Sequence, residues 1–358
     1  MNDIAGKERM PLEVVDQSIG ESKTNQSPDI YYIVLDAYGR SDILSQRFDY
    51  DNSHFLATLE DLGFYVAQCG QSNYSGTDLS LPSSLNFNYL EEIIEDFSLE
   101  NKEQANLAEL TKKSAVIGFL EKKGYTTIGF ETGFDFTQLY DADIYYTAPR
   151  TGINSFESLL LRSSFALVLD DAGFFARYRF TIHESKRNMI LSHLERLSEE
   201  VPAVPSPKFV FVHLLIPHQP FVFGAKGELS VVSKQTHNDA TYYSDEDYIQ
   251  GYRNQAMYIS NKLPEVIQQI FKNSSNPPII IIQGDHGPSH FSEADRMGIL
   301  SAYYFPDANV EFYPTITPVN TFRLLFNTYF DEEYSLLEDR SYYSNLDQLE
   351  EIPNNCAK

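Results

Sequence analysis

The sequence predicts an α/β protein, a three-layer α/β/α sandwich around a mostly parallel central sheet. Three observations carry this. Short apolar runs rich in β-branched residues recur along the chain, and their near-continuous hydrophobicity suits strands buried on both faces. Longer segments between them place apolar residues every three or four positions, as helices packed by one face do. The two patterns alternate, which favours a parallel sheet covered by helices on both sides.

Taken in order, Asp29 to Asp36 (D-I-Y-Y-I-V-L-D) is a continuous apolar strand ending in an acid. Asn52 to Leu62 follows as a helix terminated by Gly63, and Phe64 to Gln68 as another strand. Leu107 to Lys123 is a long helical pattern stopped by Gly124, and Tyr125 to Phe130 returns as a strand. Tyr140 to Ile182 is the least regular region, rich in Phe, Ser and Arg, and reads as an insertion or lid. His183 to Glu200 is a helix, and Lys208 to Leu215 a further buried strand. Between Asp245 and Lys272 a stripe of Ile249, Tyr252, Ala256, Ile259, Leu263, Ile267 and Ile270 marks a helix. It leads into Ile279 to Gly287, I-I-I-I-Q-G-D-H-G, a strand that breaks at Gly284. Met297 to Phe305 gives one more strand, and Thr317-Pro318 starts a helix through Tyr329. The polar residues 1–27 read as a flexible tail, 28–345 as one domain, and 346–358 as a C-terminal tail.

Composition narrows the function classes. A chain of 358 residues can bury a sizeable core, and 42% hydrophobic content argues against disorder. With 51 acidic against 27 basic residues the formal charge is −24, which repels nucleic-acid phosphates and anionic membrane surfaces. Cys69 and Cys356 stand far apart in sequence, so neither a disulfide framework nor a Cys-rich zinc site is expected. No run reaches the roughly 18 to 20 apolar residues of a membrane span, and the N-terminus shows no secretory h-region.

Candidate chemistry concentrates at strand ends, the edge where open α/β sheets bind ligands. Asp285 and His286 offer a hard oxygen and an imidazole there, a pairing suited to a metal; the alternative is a turn capped by Asp285. Asp36 ends its own strand in the same way, which places two carboxylates at one edge if the strands are neighbours. The strand from Lys208 runs into H-L-L-I-P-H-Q-P, which puts His213 inside its end and His218 just beyond. A histidine near a strand end is more often hydrogen-bonded or exposed than a ligand, but three of them beside two aspartates form a pattern. Thr77, after Gly76 in S-G-T-D-L-S-L-P, either caps a short helix or points its hydroxyl into the site.

In order and spacing, Asp36, T-D-L-S-L-P around Thr77, H-L-L-I-P-H-Q-P and G-D-H-G resemble the alkaline phosphatase superfamily. More narrowly they look like its sulfatase-like branch, which includes lipoteichoic acid synthases and phosphoethanolamine transferases. The resemblance spans Pro28 to about Tyr343. It implies an alkaline-phosphatase-like fold and a metal set of Asp36, Thr77, Asp285 and His286, converging at roughly 2.0 to 2.2 Å metal–ligand distance. Thr77 is then the nucleophile and His218 the histidine that contacts the substrate's oxygens. His213 and His290 become ligands of a second metal or substrate contacts, and Arg40 an anion holder, unless it is an ordinary arginine at a helix start. One Zn²⁺ or Mn²⁺ ion is expected, with room for a second if His213 and His218 turn inward.

The implied reaction is a two-step in-line displacement through a phosphothreonine. The substrate is a phosphate ester of a small molecule or lipid headgroup, and hydrolysis is favoured over phosphoglycerol- or phosphoethanolamine-type transfer because no membrane span is visible. Sulfatases of this branch carry Cys or Ser that becomes formylglycine. Threonine cannot undergo that conversion, which ranks sulfate-ester hydrolysis lower. A catalytically silent binding domain is the remaining class. The resemblance leaves an extracytoplasmic role open.

Overall fold

The computed structural model describes residues 27–95, 97–99, 106–148, 176–231, 243–345, 348–354 and 356, with backbone alone at 176–183. The sheet is organised around β1 (Ile30–Leu35), all of whose side chains are buried. It pairs in parallel with β5 (Lys208–Leu214) on one side and β6 (Ile279–Gly284) on the other. β3 (Thr126–Phe130) and β4 (Ile144–Tyr146) continue the parallel ladder beyond β5. On the other flank β7 (Ser301–Tyr304) and β2 (Tyr65–Val66) close a seven-stranded sheet of order β2-β7-β6-β1-β5-β3-β4. Both β6–β7 and β7–β2 are antiparallel, so the sheet is mostly parallel, as expected, with a mixed edge.

Strand pleating sends alternate side chains to opposite faces. Tyr31, Ile33, Leu35, Val210, Val212, Ile280 and Ile282 join one core. That core is covered by α1 (Ser41–Phe48), α2 (Ser53–Asp61), α7 (Ala176–Glu199) and α8 (Asp245–Asn273). Ile30, Tyr32, Val34, Phe209, Phe211, Ile279 and Ile281 join the other. Its helices are α3 (Thr77–Leu85), α6 (Ala115–Lys122) and α10 (Pro318–Tyr329), completing the three layers.

Several expectations need correction. The helix expected over Leu107 to Lys123 is two, α5 (Leu107–Lys112) and α6, because the Ser114 side chain accepts from the Ile117 amide and caps a fresh start. Met297 to Phe305 shortens to β7, since Glu293–Met297 form a short helix, α9, with a capping box between Ser292 and Asp295. The supposed insertion narrows as well, because β4 and the first turns of α7 lie inside 140–182; the rest, 149–175, is outside the described residues, as is the tail 1–26. The short helix α4 (Leu90–Ile93) packs after α3.

The C-terminal stretch is not a tail. β8 (Tyr342–Asn345) and β9 (Gln348–Glu351) form a hairpin. The hairpin lies along the loop before α3: the Tyr342 amide donates to Asn73 O at 2.8 Å and the Ser344 amide to Ser75 Oγ at 2.9 Å. This return brings Cys356 to Cys69, and the two form a disulfide with Cα atoms 5.4 Å apart. Sequence distance had hidden the pairing. Among the described residues no helix is long and apolar enough to cross a membrane.

Candidate active site

Strand register assembles the site. Asp36, His213 and Asp285 share the pleat parity of Val34, Phe211 and Ile281, so all three face the α3 side at the carboxyl ends of β1, β5 and β6. Gly284 lets β6 end tightly, since an added Cβ would lie 2.6 Å from Tyr38 O. Asp285 then turns inward rather than capping a helix, for the next helix, α9, is capped by Ser292. Its Oδ1 accepts from the amides of Ala37 (3.0 Å) and His286 (2.9 Å). Its Oδ2 accepts from the Thr77 hydroxyl at 2.6 Å.

Gly76 is the N-cap of α3 and Thr77 its first helical residue. The hydroxyl therefore does not cap; it points at Asp285 and lies 3.1 Å from His286 Nε2. His286 Nε2 is 3.6 Å from Asp36 Oδ1 and 3.6 Å from Asp285 Oδ2. His213 Nε2 is 3.9 Å from Asp36 Oδ2 and 3.7 Å from Asp285 Oδ2. Asp36, Thr77 and Asp285 thus gather around His286 Nε2, with His213 beside the two carboxylates. Among the described residues, Asp36, His213 and Asp285 form a buried group whose ligand atoms all lie within 4.8 Å of one another.

The polar atoms here are left open. Asp36 Oδ1 and both ring nitrogens of His213 are buried without a hydrogen-bond partner. Buried groups of this kind are costly unless something satisfies them. Carboxylate oxygens, imidazole nitrogens and a hydroxyl grouped this way fit a divalent ion such as Zn²⁺ or Mn²⁺.

Protonation states follow from the same geometry. Burial, then the charge of Asp285, pushes Asp36 up to about 7. For Asp285 burial works against the charged form, but neighbouring imidazoles, the Thr77 hydroxyl and the Ala37 amide outweigh it and hold the carboxyl down at about 2. Burial and the nearby Arg296 push His286 down to about 3, leaving it neutral. Its Nδ1–H donates to Gly287 O at 2.9 Å, so Nε2 carries the lone pair. His218 is likewise pushed down to about 4 by burial and Lys186, and its Nδ1–H donates to Gln219 O at 2.6 Å. Its ring stands 6.3 Å, centroid to centroid, from that of His286.

Two expected residues lie elsewhere. Arg40 is committed, with Nε and Nη2 on Asp42 (2.7 and 3.0 Å) and Nη1 on Gly70 O (3.2 Å), so it holds the α1 entry rather than an anion. His290 bonds the exposed Asp245 at 2.9 Å and stacks on Tyr248; its contacts run to these groups and not to the carboxylates. Conversely, two cations went unread. Lys186 of α7 donates to His218 O (2.7 Å) and Pro220 O (3.1 Å), and Arg296 of α9 reaches His286 Nε2 at 3.2 Å. Both sit in segments whose patterns look like ordinary helix faces, and no local signal marks them.

Comparison with known proteins bears on this arrangement. The family model described as Sulfatase matches residues 28–322. The chain belongs to the sulfatase family. Its place is the sulfatase-like branch of the alkaline phosphatase superfamily. Among solved structures, this sulfatase-family chain is similar to the C-terminal periplasmic domain of EcEptC from Escherichia coli in complex with Zn. The two share 13% identity over 92% of this chain and 94% of that one, with a TM-score of 0.58. A second is the C-terminal periplasmic domain of phosphoethanolamine transferase EptC from Campylobacter jejuni, at 14% identity, 87% and 92% coverage and a TM-score of 0.51. At such identities the likeness shows the fold. No curated protein matches the sequence.

Proposed function

We propose that the protein is a metal-dependent phosphoric-ester hydrolase acting on a phosphomonoester or phosphodiester through a covalent phosphothreonine at Thr77. The observation that carries this is the Thr77 hydroxyl, 2.6 Å from Asp285 Oδ2 and 3.1 Å from His286 Nε2 at the first turn of α3. A helix start favours negative charge on that oxygen and on an incoming anion. A divalent ion held by Asp36, Thr77, Asp285 and His286, with His213 beside them, supplies a Lewis acid that lowers the hydroxyl's pKa and offsets charge on the transferring group.

The protein's own groups divide the remaining work. Asp285 Oδ2 holds the Thr77 hydroxyl and orients its lone pairs toward the cleft. The Thr77 hydroxyl passes its proton to Asp285 Oδ2 as its oxygen bonds phosphorus and the bond to the leaving oxygen breaks in line, and that proton goes on through solvent to the leaving oxygen. His218, neutral with its Nδ1–H tied to Gln219 O, presents Nε2 to take a proton from the water that then attacks phosphorus. The threonine oxygen leaves, takes up the proton held by His218, and the site is restored. Lys186 fixes the His218 loop by gripping its carbonyls.

Transfer of a phosphorylated headgroup to an acceptor alcohol is the second reading, favoured by the similarity to periplasmic phosphoethanolamine transferase domains. The only change is the nucleophile of the second step. The Cys69–Cys356 disulfide supports an oxidising, extracytoplasmic setting for either.

The test is a panel of p-nitrophenyl phosphate, bis(p-nitrophenyl) phosphate and p-nitrophenyl sulfate with Zn²⁺ or Mn²⁺. Phosphate-ester cleavage is expected, abolished in Thr77→Ala with the melting temperature retained, and a His218→Ala variant should accumulate protein one phosphoryl group heavier at Thr77. Full activity in Thr77→Ala removes the nucleophile. Sulfate hydrolysis without phosphate hydrolysis overturns the reaction class.

A further inference from the structure

Arg296 of α9 is a cation beside the Thr77 and His286 cluster whose hydrogen bonds go to neutral groups. We infer that its guanidinium binds a non-bridging oxygen of the group transferred to Thr77. This rests on the phosphoryl-transfer reading above and adds to it the residue that recognises the anion.

The guanidinium is fixed by backbone rather than by acids. Its Nε donates to Ser75 O at 2.6 Å and its Nη1 to Gly287 O at 3.0 Å. The Gly287 amide donates back to Arg296 O at 2.6 Å, so α9 and the turn after β6 are locked together. Gly287 makes this approach feasible, since an added Cβ would lie 2.4 Å from Asp295 O. Ser75 is itself held by the C-terminal hairpin, through Ser344. Arg296 therefore spans the loop two residues before the nucleophile and the turn that carries Asp285 and His286.

What remains is the Nη2 edge, which lies 3.2 Å from His286 Nε2. The Thr77 oxygen lies 3.1 Å from the same nitrogen, so Nη2 stands close to that oxygen and within reach of a group bonded to it. No carboxylate among the described residues forms an ion pair with Arg296, whereas Arg40 is paired by Asp42 and Arg47 by Asp295. The hydrogen bonds of Arg296 all go to neutral groups while Asp285 and Asp36 act on it through space, and its planar fork matches phosphoryl oxygens.

The test compares wild type, Arg296→Met and Arg296→Lys, all loaded with Zn²⁺, by calorimetric titration with inorganic phosphate and by kinetics on p-nitrophenyl phosphate. Loss of one charge-assisted bond predicts weaker phosphate binding and lower kcat/KM by roughly 10- to 100-fold in Arg296→Met, with Lys between. Zinc stoichiometry and melting temperature should be retained, and millimolar guanidinium should restore part of both losses in an Arg296→Ala variant. Phosphate affinity and kcat/KM within twofold of wild type in Arg296→Met overturn the inference while the phosphoryl reading stands. So does a loss accompanied by lost zinc and no guanidinium rescue, which marks a purely structural arginine. A wild type that neither binds phosphate nor cleaves the ester takes both readings down together.

Discussion

Strands β1 and β5 lie side by side, and each carries ionisable groups at both ends, but the two ends are built in opposite ways. At the amino end Asp29 is closed. Lys208 Nζ donates to it, the Lys208 amide reaches Oδ1 at 3.1 Å, and Ser206 Oγ reaches Oδ2 at 3.0 Å. Lys208 also bonds Val204 O at 3.0 Å. At the carboxyl end, beyond the six residues of β1, Asp36 Oδ1 and both nitrogens of His213 have no partner. Each such atom costs on the order of 1–3 kcal/mol, so the chain tolerates at one end what it has carefully avoided at the other. A buried charge that is satisfied holds the fold; one left open is kept for a ligand.

The sharpest way to break this contrast is to neutralise the two aspartates separately. Asp36→Asn should lower phosphoesterase activity by at least ~10³-fold, about 4 kcal/mol in the barrier, and abolish stoichiometric zinc binding. Stability should move the other way. The folded pKa of Asp36, about 7, lies above its unfolded value, so ionising it costs stability as pH rises toward and through that pKa. Asn removes the cost, and metal-free Asp36→Asn should melt higher than metal-free wild type at pH 8. A lower melting temperature there would mean that Asp36 supports the fold as Asp29 does.

Asp29→Asn is the complementary variant. It leaves the Lys208 ammonium buried with only a carbonyl and an amide, and breaking one side of such a pair costs about 3–5 kcal/mol. Urea unfolding should report this loss, while zinc stoichiometry and kcat per folded molecule stay at wild-type values. A selective loss of zinc would show that the two ends are not independent.

The same contrast explains what could be read in the sequence. The strands were legible because burial on both faces demands continuous apolar runs, and Asp36, Asp285 and His286 were legible because they interrupt those runs at their ends. His213 was half legible: its place in β5 was evident, and counting by twos from Phe209 would have put it on the face of Asp36 and Asp285. Arg40 misled because its partners, Asp42 and Gly70 O, are set by how α1 docks. Arg296 and Lys186 were invisible for the converse reason. Each acts through backbone carbonyls that tertiary packing brings close, and a carbonyl leaves no trace in a residue pattern. The C-terminal hairpin was missed because its pairing partner, the Asn73–Ser75 loop, lies far back in the chain.

A third buried group asks whether an unpaired ring atom by itself marks a site. His193 of α7 donates from Nε2 to Glu131 O at 2.6 Å, and its Nδ1 has no partner, yet it packs on Phe130 and lacks the flanking carboxylates of His213. Burial pushes its pKa down to about 4. The unfolded chain, near 6.5, then binds the proton more tightly, so this stability is present above pH 6.5 and lost as pH falls through about 4. Between pH 7 and 4.5 the loss should be about 2–3 kcal/mol. Wild type should lose that much more than His193→Gln in urea titrations at the two pH values, with activity at pH 7 equal in both. Equal acid sensitivity would remove His193 from the account, and lost activity would make it part of the site.

The smallest effect is expected at the turn that presents Asp285 with its amide donor. Ala37 has φ of 65°, the left-handed region, while its N–H donates to Asp285 Oδ1 and its carbonyl accepts from Tyr252 Oη at 2.7 Å. An L-residue there costs roughly 1–2 kcal/mol, and the two bonds hold the chain in that conformation. Glycine relieves the strain but gives back part of the gain through the greater freedom of its unfolded chain, and it loses a buried methyl. The net for Ala37→Gly should be a gain of about 0.5 kcal/mol or less in urea unfolding. The strain belongs to the open end of the sheet, where geometry serves the ligand before it serves the fold. A clear loss of stability in Ala37→Gly would instead make the methyl's packing the dominant interaction and move this turn to the closed, structural side of the comparison.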